Sequence, residues 1–160
     1  MTTRLALTFL ASLAIAGSAE AADLTRAQID TGTLHGASAD GVVSFKGIPF
    51  AQPPVGDLRW RAPQPVAKWT GVRRANAFGS PCVQPKGTGR LNVAVDLPDS
   101  PPASEDCLYL NVWTAAQSAS ERRPVMMWIY GGAYTEGAGS SPYNGGEALA
   151  RKGAVVVTFN

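Results

Sequence analysis

Histidine and cysteine are scarce in this 160-residue chain, which contains one histidine and two cysteines. So few nitrogen and sulfur ligands do not make a metal cluster, and no Gly-x-x-x-x-Gly-Lys sequence is present to hold a phosphate group. The net charge of +2 is too small to indicate a nucleic-acid partner. Hydrophobic residues make up 45% of the sequence, as is typical of a globular chain. We therefore predict a folded domain without a metal, an organic cofactor or a nucleic-acid partner.

A long apolar run is also missing. The apolar segment near the N-terminus, Leu5 to Ala16, is too short to span a bilayer comfortably. It follows Arg4 and precedes Ala19-Glu20-Ala21, the small-x-small pattern at which signal peptidase cleaves. We predict that residues 1–21 are a signal peptide and that the mature protein is secreted or periplasmic, with no stable membrane insertion. A retained membrane anchor is the alternative.

The most informative segment that is present is Pro124 to Tyr134, which reads PVMMWIYGGAY. An apolar run that ends in paired glycines is typical of a buried strand followed by a sharp turn. Amide groups left uncovered at the carboxyl end of such a strand can form an oxyanion hole, which stabilises the charged oxygen of an acyl-transfer intermediate. The alternative is a tight turn after a core strand, with no chemical role.

Three motifs together identify a family. Residues 47–60 contain GIPFAQPPVG followed by LRW, residues 104–112 read SEDCLYLNV, and residues 130–134 read YGGAY. In this order and spacing they resemble the signatures of the type-B carboxylesterase and cholinesterase family. The resemblance spans about Thr31 to Asn160. The departures are Ala115, where the second signature commonly ends in proline, and Ala133, where many relatives have a third glycine.

The resemblance implies an α/β fold, with residues 22–160 as the N-terminal portion of a type-B carboxylesterase (α/β-hydrolase) domain, truncated before the nucleophile elbow. The expected sheet is incomplete and mostly parallel, with an antiparallel strand region at its N-terminal end. The local patterns predict strands at 31–34, 41–45, 108–113, 124–130 and 154–159, and a helix at 145–152. Asn144 is the expected helix cap, the segment 115–123 has hairpin character, and 124–130 is the expected central strand. The strand at 154–159 should then be exposed along one edge.

The resemblance also assigns the site residues. Gly132 and Ala133 would donate backbone N–H groups to the oxyanion, and Gly131 would support the turn. The Gly-x-Ser-x-Gly elbow of an α/β-hydrolase is missing, and its nearest approach, Gly139 to Tyr143, lacks the final glycine. The single histidine, His35, lies far from the position of the family's catalytic histidine. The catalytic serine, acid and histidine are therefore absent from this chain, and the 160-residue fragment is expected to be inactive by itself.

Two structural pairs are implied by the same resemblance. Cys82 and Cys107 correspond to the family's disulfide, which would close a loop of about 25 residues and stabilise the fold by roughly 3–4 kcal/mol. Two free thiols are the alternative. Arg59 and Glu105 correspond to a salt bridge between the first two signatures, and a solvated pair of little energetic value is the alternative.

The complete protein is expected to be a carboxylic-ester hydrolase acting on a small-molecule ester. Residues 83–106 contain no aromatic side chain that could hold a quaternary ammonium group, which argues against a choline ester. A non-catalytic binding or adhesion domain and an inert truncated product are the alternatives. The sequence does not determine the oligomeric state.

Overall fold

The structure, a computed structural model, describes residues 23–85 and 101–160. The signal peptide predicted for residues 1–21 lies outside this part of the chain. The described residues form two β-sheets and one short α-helix. Within them, no helix has the length and apolar character that a membrane crossing requires.

The smaller sheet lies at the N-terminal end. Its strands are β1 (Arg26–Ile29), β2 (Gly32–His35) and, after the next two strands along the chain, β5 (Val72–Arg74). β1 and β2 pair antiparallel, whereas β2 and β5 pair parallel. The sequence patterns predicted β2 but neither β1 nor β5, because strands this short carry little alternation.

The larger sheet has five strands and carries the predicted site. Its members are β3 (Ala37–Ala39), β4 (Val42–Pro49), β6 (Tyr109–Thr114), β7 (Val125–Trp128) and β8 (Val155–Phe159). They are arranged in the order β3-β4-β6-β8-β7. In this order, the pairs β3–β4, β4–β6 and β6–β8 are antiparallel, and the pair β8–β7 is parallel. Within the described residues the antiparallel region is therefore larger than we expected of a mostly parallel sheet.

The connection from β7 to β8 confirms the predicted strand–helix–strand unit. The helix α1 (Glu147–Arg151) links the two strands, which pair in parallel from Val125 opposite Val155 to Trp128 opposite Thr158. The prediction of a hairpin at 115–123 is wrong, because β6 pairs with β8 and not with β7. β8 returns along the sheet to lie between the two strands that precede it in the chain.

The positions of the central and the exposed strand are the reverse of the prediction. β8 has a neighbour on each side, whereas β7 has only one within the described residues. The side chains of β7 are correspondingly open, with Val125 66%, Met127 61% and Trp128 47% exposed. An unbroken apolar run looks the same in both positions, so the sequence does not distinguish them.

The start of α1 also differs from the prediction. Gly146 is the N-cap residue, and no side chain caps the helix. The Asn144 side chain instead donates to the carbonyl of Ala138 and accepts a hydrogen bond from the Trp128 indole. Asn144 therefore joins the end of β7 to the segment before the helix.

Two apolar clusters hold the larger sheet. The first is built on Val43, Phe45 and Ile48 of β4, together with Leu34 of the smaller sheet. The second centres on Trp113, which is 0% exposed and packs against Val42, Ala150 and Val156. Trp113 therefore connects three strands to the helix, and it fixes β8 beside β6.

The open edge of β7 leads to a prediction about the isolated chain. Residues 22–160 expressed alone should be poorly soluble, because an apolar edge strand with free backbone groups recruits other chains. Met127→Lys should increase the soluble monomeric fraction, since a charge on an edge strand opposes such pairing. Sedimentation of both proteins checks this, and a monomeric, cooperatively melting wild-type chain would contradict it.

Candidate active site

The turn that follows β7 has an unusual backbone. Gly132, Ala133 and Tyr134 have φ angles of +139°, +52° and +62°. For alanine and tyrosine this left-handed region costs roughly 1–3 kcal/mol per residue, and such strain is concentrated at functional sites. The amides of Thr135 and Glu136 close the turn by donating to the Gly132 carbonyl, at 2.9 and 3.2 Å.

The amides of Gly132 and Ala133 are free of backbone partners. Among the described residues, neither donates a hydrogen bond to a main-chain carbonyl. A turn that is closed only through the Gly132 carbonyl leaves these two N–H groups available. They are the groups that we predicted as oxyanion donors.

These residues line an open cavity of about 570 Å³. Among the described residues its wall consists of three pieces of chain, namely residues 82–84, residues 129–137 and residues 159–160. Gly131, Gly132 and Ala133 all contribute to it, as do Cys82 and Gln84. The end of β7, the end of β8 and the segment after Cys82 therefore meet at one place.

Two glycines of this turn have no room for a side chain. A Cβ atom at Gly132 would lie 1.8 Å from the Glu136 carbonyl oxygen. A Cβ atom at Gly137 would lie 2.5 Å from the Tyr130 ring, and Gly137 also has a positive φ of +116°. At Gly131, by contrast, a Cβ atom would meet nothing within 4 Å. The compact turn therefore depends on Gly132 and Gly137.

The two tyrosines beside the turn have different surroundings. Burial raises the pKa of the Tyr130 phenol above its ordinary value. Tyr134 is fully exposed, although it lies on the cavity wall. Tyr130 therefore provides a partly buried side of the cavity, and Tyr134 provides an exposed one.

Cys82 and Cys107 form the expected disulfide, with their Cα atoms 5.0 Å apart. The bond holds the segment that includes Gln84 against the start of β6. No free cysteine is present in the chain.

A set of hydrogen bonds joins the disulfide to the end of β8. The Asn160 side-chain amide donates to the carbonyls of Cys107 and Ser80, each at 3.0 Å. Its side-chain oxygen accepts a hydrogen bond from the Gly139 amide at 2.9 Å. Asn160 therefore connects the disulfide, the last strand and the chain that follows the glycine turn.

A buried network continues from there into the sheet. The Thr158 hydroxyl donates to the Gly139 carbonyl at 2.8 Å and accepts from the Asn111 amide at 3.0 Å. The Asn111 oxygen accepts a hydrogen bond from the Gly47 amide. Each of these buried polar groups has a partner, which is the condition for burying them without loss of stability.

Arg59 and Glu105 form a two-bonded ion pair. The guanidinium donates to both carboxylate oxygens, at 2.5 and 2.6 Å. These hydrogen bonds lower the pKa of Glu105 and raise that of Arg59. The side chains are 48% and 44% exposed, so water screens much of their attraction. The pair joins the segment after β4 to the chain just before Cys107, as the resemblance implies, but its exposure is that of the solvated alternative.

Among residues 23–85 and 101–160, neither a serine nor a histidine lines the cavity, and Glu136 is the carboxylate residue on its wall. His35 is exposed on β2 and does not belong to the cavity wall. Ser140 and Ser141 follow the glycine turn, but neither lines the cavity. Residues 23–85 and 101–160 contain no group of three or more ligands that could hold a metal ion.

Gln84 and Asn160, which both line the cavity and bridge separate segments, were not predicted as site residues from the sequence. Gln84 follows Cys82 by two residues, and Asn160 directly follows the last predicted strand. Both are uncharged amides, which carry no catalytic signal in a sequence. Their role depends on contacts with chain that is distant in sequence.

A family model described as the carboxylesterase family matches residues 23–160. The chain belongs to the carboxylesterase family. Its α/β-hydrolase fold is supported by a solved structure titled PNB esterase, with a TM-score of 0.76 and 41% identity. That similarity covers 85% of this chain and 27% of the solved chain.

Two sequence relatives agree with this assignment. Fumonisin B1 esterase from Sphingopyxis macrogoltabida is 48% identical over 130 residues, which is 81% of this chain and 23% of that protein. Para-nitrobenzyl esterase from Bacillus subtilis (strain 168) is 46% identical over 130 residues, or 81% of this chain and 26% of that protein. The chain thus spans about a quarter of the length of these relatives.

Proposed function

We propose that this chain provides the oxyanion hole of a carboxylic-ester hydrolase that works through a serine acyl-enzyme. The observation that supports the proposal is that the amides of Gly132 and Ala133, on the wall of an open cavity, have no hydrogen-bond acceptor among the described residues. A tight turn without a chemical role would not require two successive non-glycine residues in the left-handed region. The same feature argues against the alternative of a non-catalytic binding domain.

The mechanism follows from the placement of these amides. A serine hydroxyl supplied by the rest of the domain attacks the ester carbonyl carbon, and a histidine accepts its proton. The carbonyl oxygen gains a negative charge, and the N–H groups of Gly132 and Ala133 donate to it. Collapse of this intermediate expels the alcohol, which takes the proton from the histidine. Water then releases the acid from the acyl-serine by the same route.

Alanine can serve at the second donor position because the donor is a backbone group. Ala133 already has the left-handed backbone that glycine would adopt freely, so the methyl group is accommodated in this turn. The methyl projects from the same turn that holds the carbonyl oxygen. We therefore propose that the Ala133 methyl group narrows the part of the cavity that receives the acyl group of the ester.

The proposed substrate is a small-molecule carboxylic ester. The names of the relatives cover different esters, among them fumonisin B1 and para-nitrobenzyl esters, so they support the class and not one compound. The absence of aromatic residues from 83–106 argues against choline esters.

A chimaera tests the proposed function. Residues 23–160 replace the matching segment of the Bacillus subtilis para-nitrobenzyl esterase, which supplies the rest of the domain. We expect this chimaera to hydrolyse para-nitrophenyl acetate and to be inactivated by a serine-directed fluorophosphonate. A folded chimaera that reacts with neither reagent would overturn the proposal.

We also propose that the protein is exported with its first 21 residues as a cleaved signal peptide. The Cys82–Cys107 disulfide supports this, because such bonds persist in oxidising compartments. The mature protein should begin at Ala22, and a thiol reagent should label neither cysteine before reduction and both afterwards. N-terminal sequencing and mass spectrometry of exported protein check both expectations. An intact N-terminus or two reactive thiols would contradict them.

A further inference from the structure

Gln84 makes a reciprocal contact with the far end of the glycine turn. Its side-chain oxygen accepts a hydrogen bond from the Gly137 amide at 2.7 Å, and its nitrogen donates to the Gly137 carbonyl at 3.0 Å. The same nitrogen donates to the Cys82 carbonyl, also at 3.0 Å. One side chain thus holds both backbone groups of Gly137, although the two residues are 53 positions apart.

Gly137 is closely coupled to the two oxyanion donors. Residues 132 and 136 contact each other through the hydrogen bond from the Glu136 amide to the Gly132 carbonyl. Gly137 follows directly and is packed against the Tyr130 ring and the Gly131 carbonyl oxygen. A displacement of Gly137 therefore moves Glu136, and with it the carbonyl of Gly132.

The other end of this contact is rigid. Cys82 is bonded to Cys107, and the Cys107 carbonyl accepts a hydrogen bond from Asn160. Gln84 stands two residues beyond Cys82 and bonds to its carbonyl. The disulfide and the last strand of the sheet thus provide a fixed base from which Gln84 reaches the turn.

We propose that Gln84 is a positioning residue that sets the orientation of the Gly132 and Ala133 amides. The turn is held at its start by β7 and at its end by Gln84, so that the two donors between these points keep one orientation. Gln84 itself does not bind the reacting oxygen. This role rests on the proposed function, because it assumes that these two amides bind an oxyanion.

The test compares Gln84→Ala with Gln117→Ala in the chimaera. Gln117 is a matched control because its side-chain nitrogen also donates to a carbonyl two residues earlier in the chain, but at an exposed site away from the cavity. We expect Gln84→Ala to lower kcat about tenfold and to leave KM within about twofold, since the loss concerns the charged intermediate and not the bound ester. Gln117→Ala should leave both parameters unchanged.

Two further measurements separate positioning from a general loss of structure. A trifluoromethyl ketone forms a charged tetrahedral adduct with the serine, so its Ki should rise in Gln84→Ala by the same factor by which kcat/KM falls. Hydrogen exchange at residues 131–137 should become faster in Gln84→Ala and remain unchanged in Gln117→Ala. Gln84→Glu keeps the acceptor for the Gly137 amide but loses the donor to its carbonyl, so its kcat should lie between those of the parent and Gln84→Ala.

Each other outcome has a definite meaning. Faster exchange with unchanged kcat and Ki would show a purely structural contact and overturn the positioning role. Unchanged exchange and kinetics would overturn the contact itself, while the activity of the parent chimaera would leave the proposed function intact. A folded parent chimaera that reacts with neither the ester nor the fluorophosphonate would overturn the proposed function, and the positioning role with it.

Discussion

Replacing Gly132 with valine in the chimaera should reduce kcat by about two to three orders of magnitude, because the loss of one oxyanion donor typically costs about 2.7–4 kcal/mol of transition-state stabilisation. The structure shows why valine at this position would displace the oxyanion donors. A Cβ atom at this position would lie 1.8 Å from the Glu136 carbonyl oxygen, and the φ of +139° is unfavourable for a side chain. The turn must open to admit valine, and the amides of residues 132 and 133 then leave their positions.

Strain alone does not account for the expected loss, and Gly153→Val provides the control. Gly153 also has a positive φ, of +101°, but a Cβ atom there would meet nothing within 4 Å and the residue lies outside the cavity wall. Gly153→Val should therefore lower stability while kcat remains near that of the parent. Steady-state kinetics on para-nitrophenyl acetate and thermal melts of both variants distinguish a loss of catalysis from a loss of stability. A Gly132→Val enzyme with the parent's kcat would remove this residue from the mechanism.

The site was predictable where its function depends on the backbone and on covalent chemistry. Paired glycines at the end of an apolar strand indicate the turn, and the structure requires glycine at Gly132, where φ is +139° and a Cβ atom would meet the Glu136 carbonyl. The disulfide was predictable through the family resemblance, and the structure contains it. Gln84 and Asn160 could not be found in this way. Their importance comes from contacts across 53 residues or more, which no local pattern encodes.

The positions of the strands and the helix along the chain were predictable, but the order of the strands in the sheet was less so. The strands β4, β6, β7 and β8 and the helix α1 were all predicted within a few residues, because hydrophobic patterns depend on local sequence. The insertion of β8 between β6 and β7 was not predicted, since the order of strands in a sheet is set by packing. Trp113 illustrates this, because its partners come from β4, β8 and α1.

Trp113→Ala should lower the free energy of unfolding by about 3–5 kcal/mol, the usual range for a fully buried tryptophan. The residue is 0% exposed, and its indole nitrogen donates to the Glu147 carboxylate at 2.8 Å. A Cβ atom at Gly146 would lie 2.7 Å from the Trp113 ring, so helix α1 begins in direct contact with it. Loss of the ring removes the packing contacts that Trp113 makes with Ala150 of α1 and Val156 of β8.

Trp60 provides a matched control, because it is 94% exposed and undergoes the same chemical change. Trp60→Ala should change the free energy of unfolding by less than about 0.5 kcal/mol, as surface substitutions usually do. Trp113→Phe keeps most of the ring but loses the bond to Glu147, so its unfolding midpoint should lie between those of the parent and Trp113→Ala. Urea unfolding of the chimaera and its three variants measures these differences. If Trp113→Ala and Trp60→Ala unfolded at the same urea concentration, Trp113 would not be the centre of the second cluster, and the placement of β8 beside β6 would need another cause.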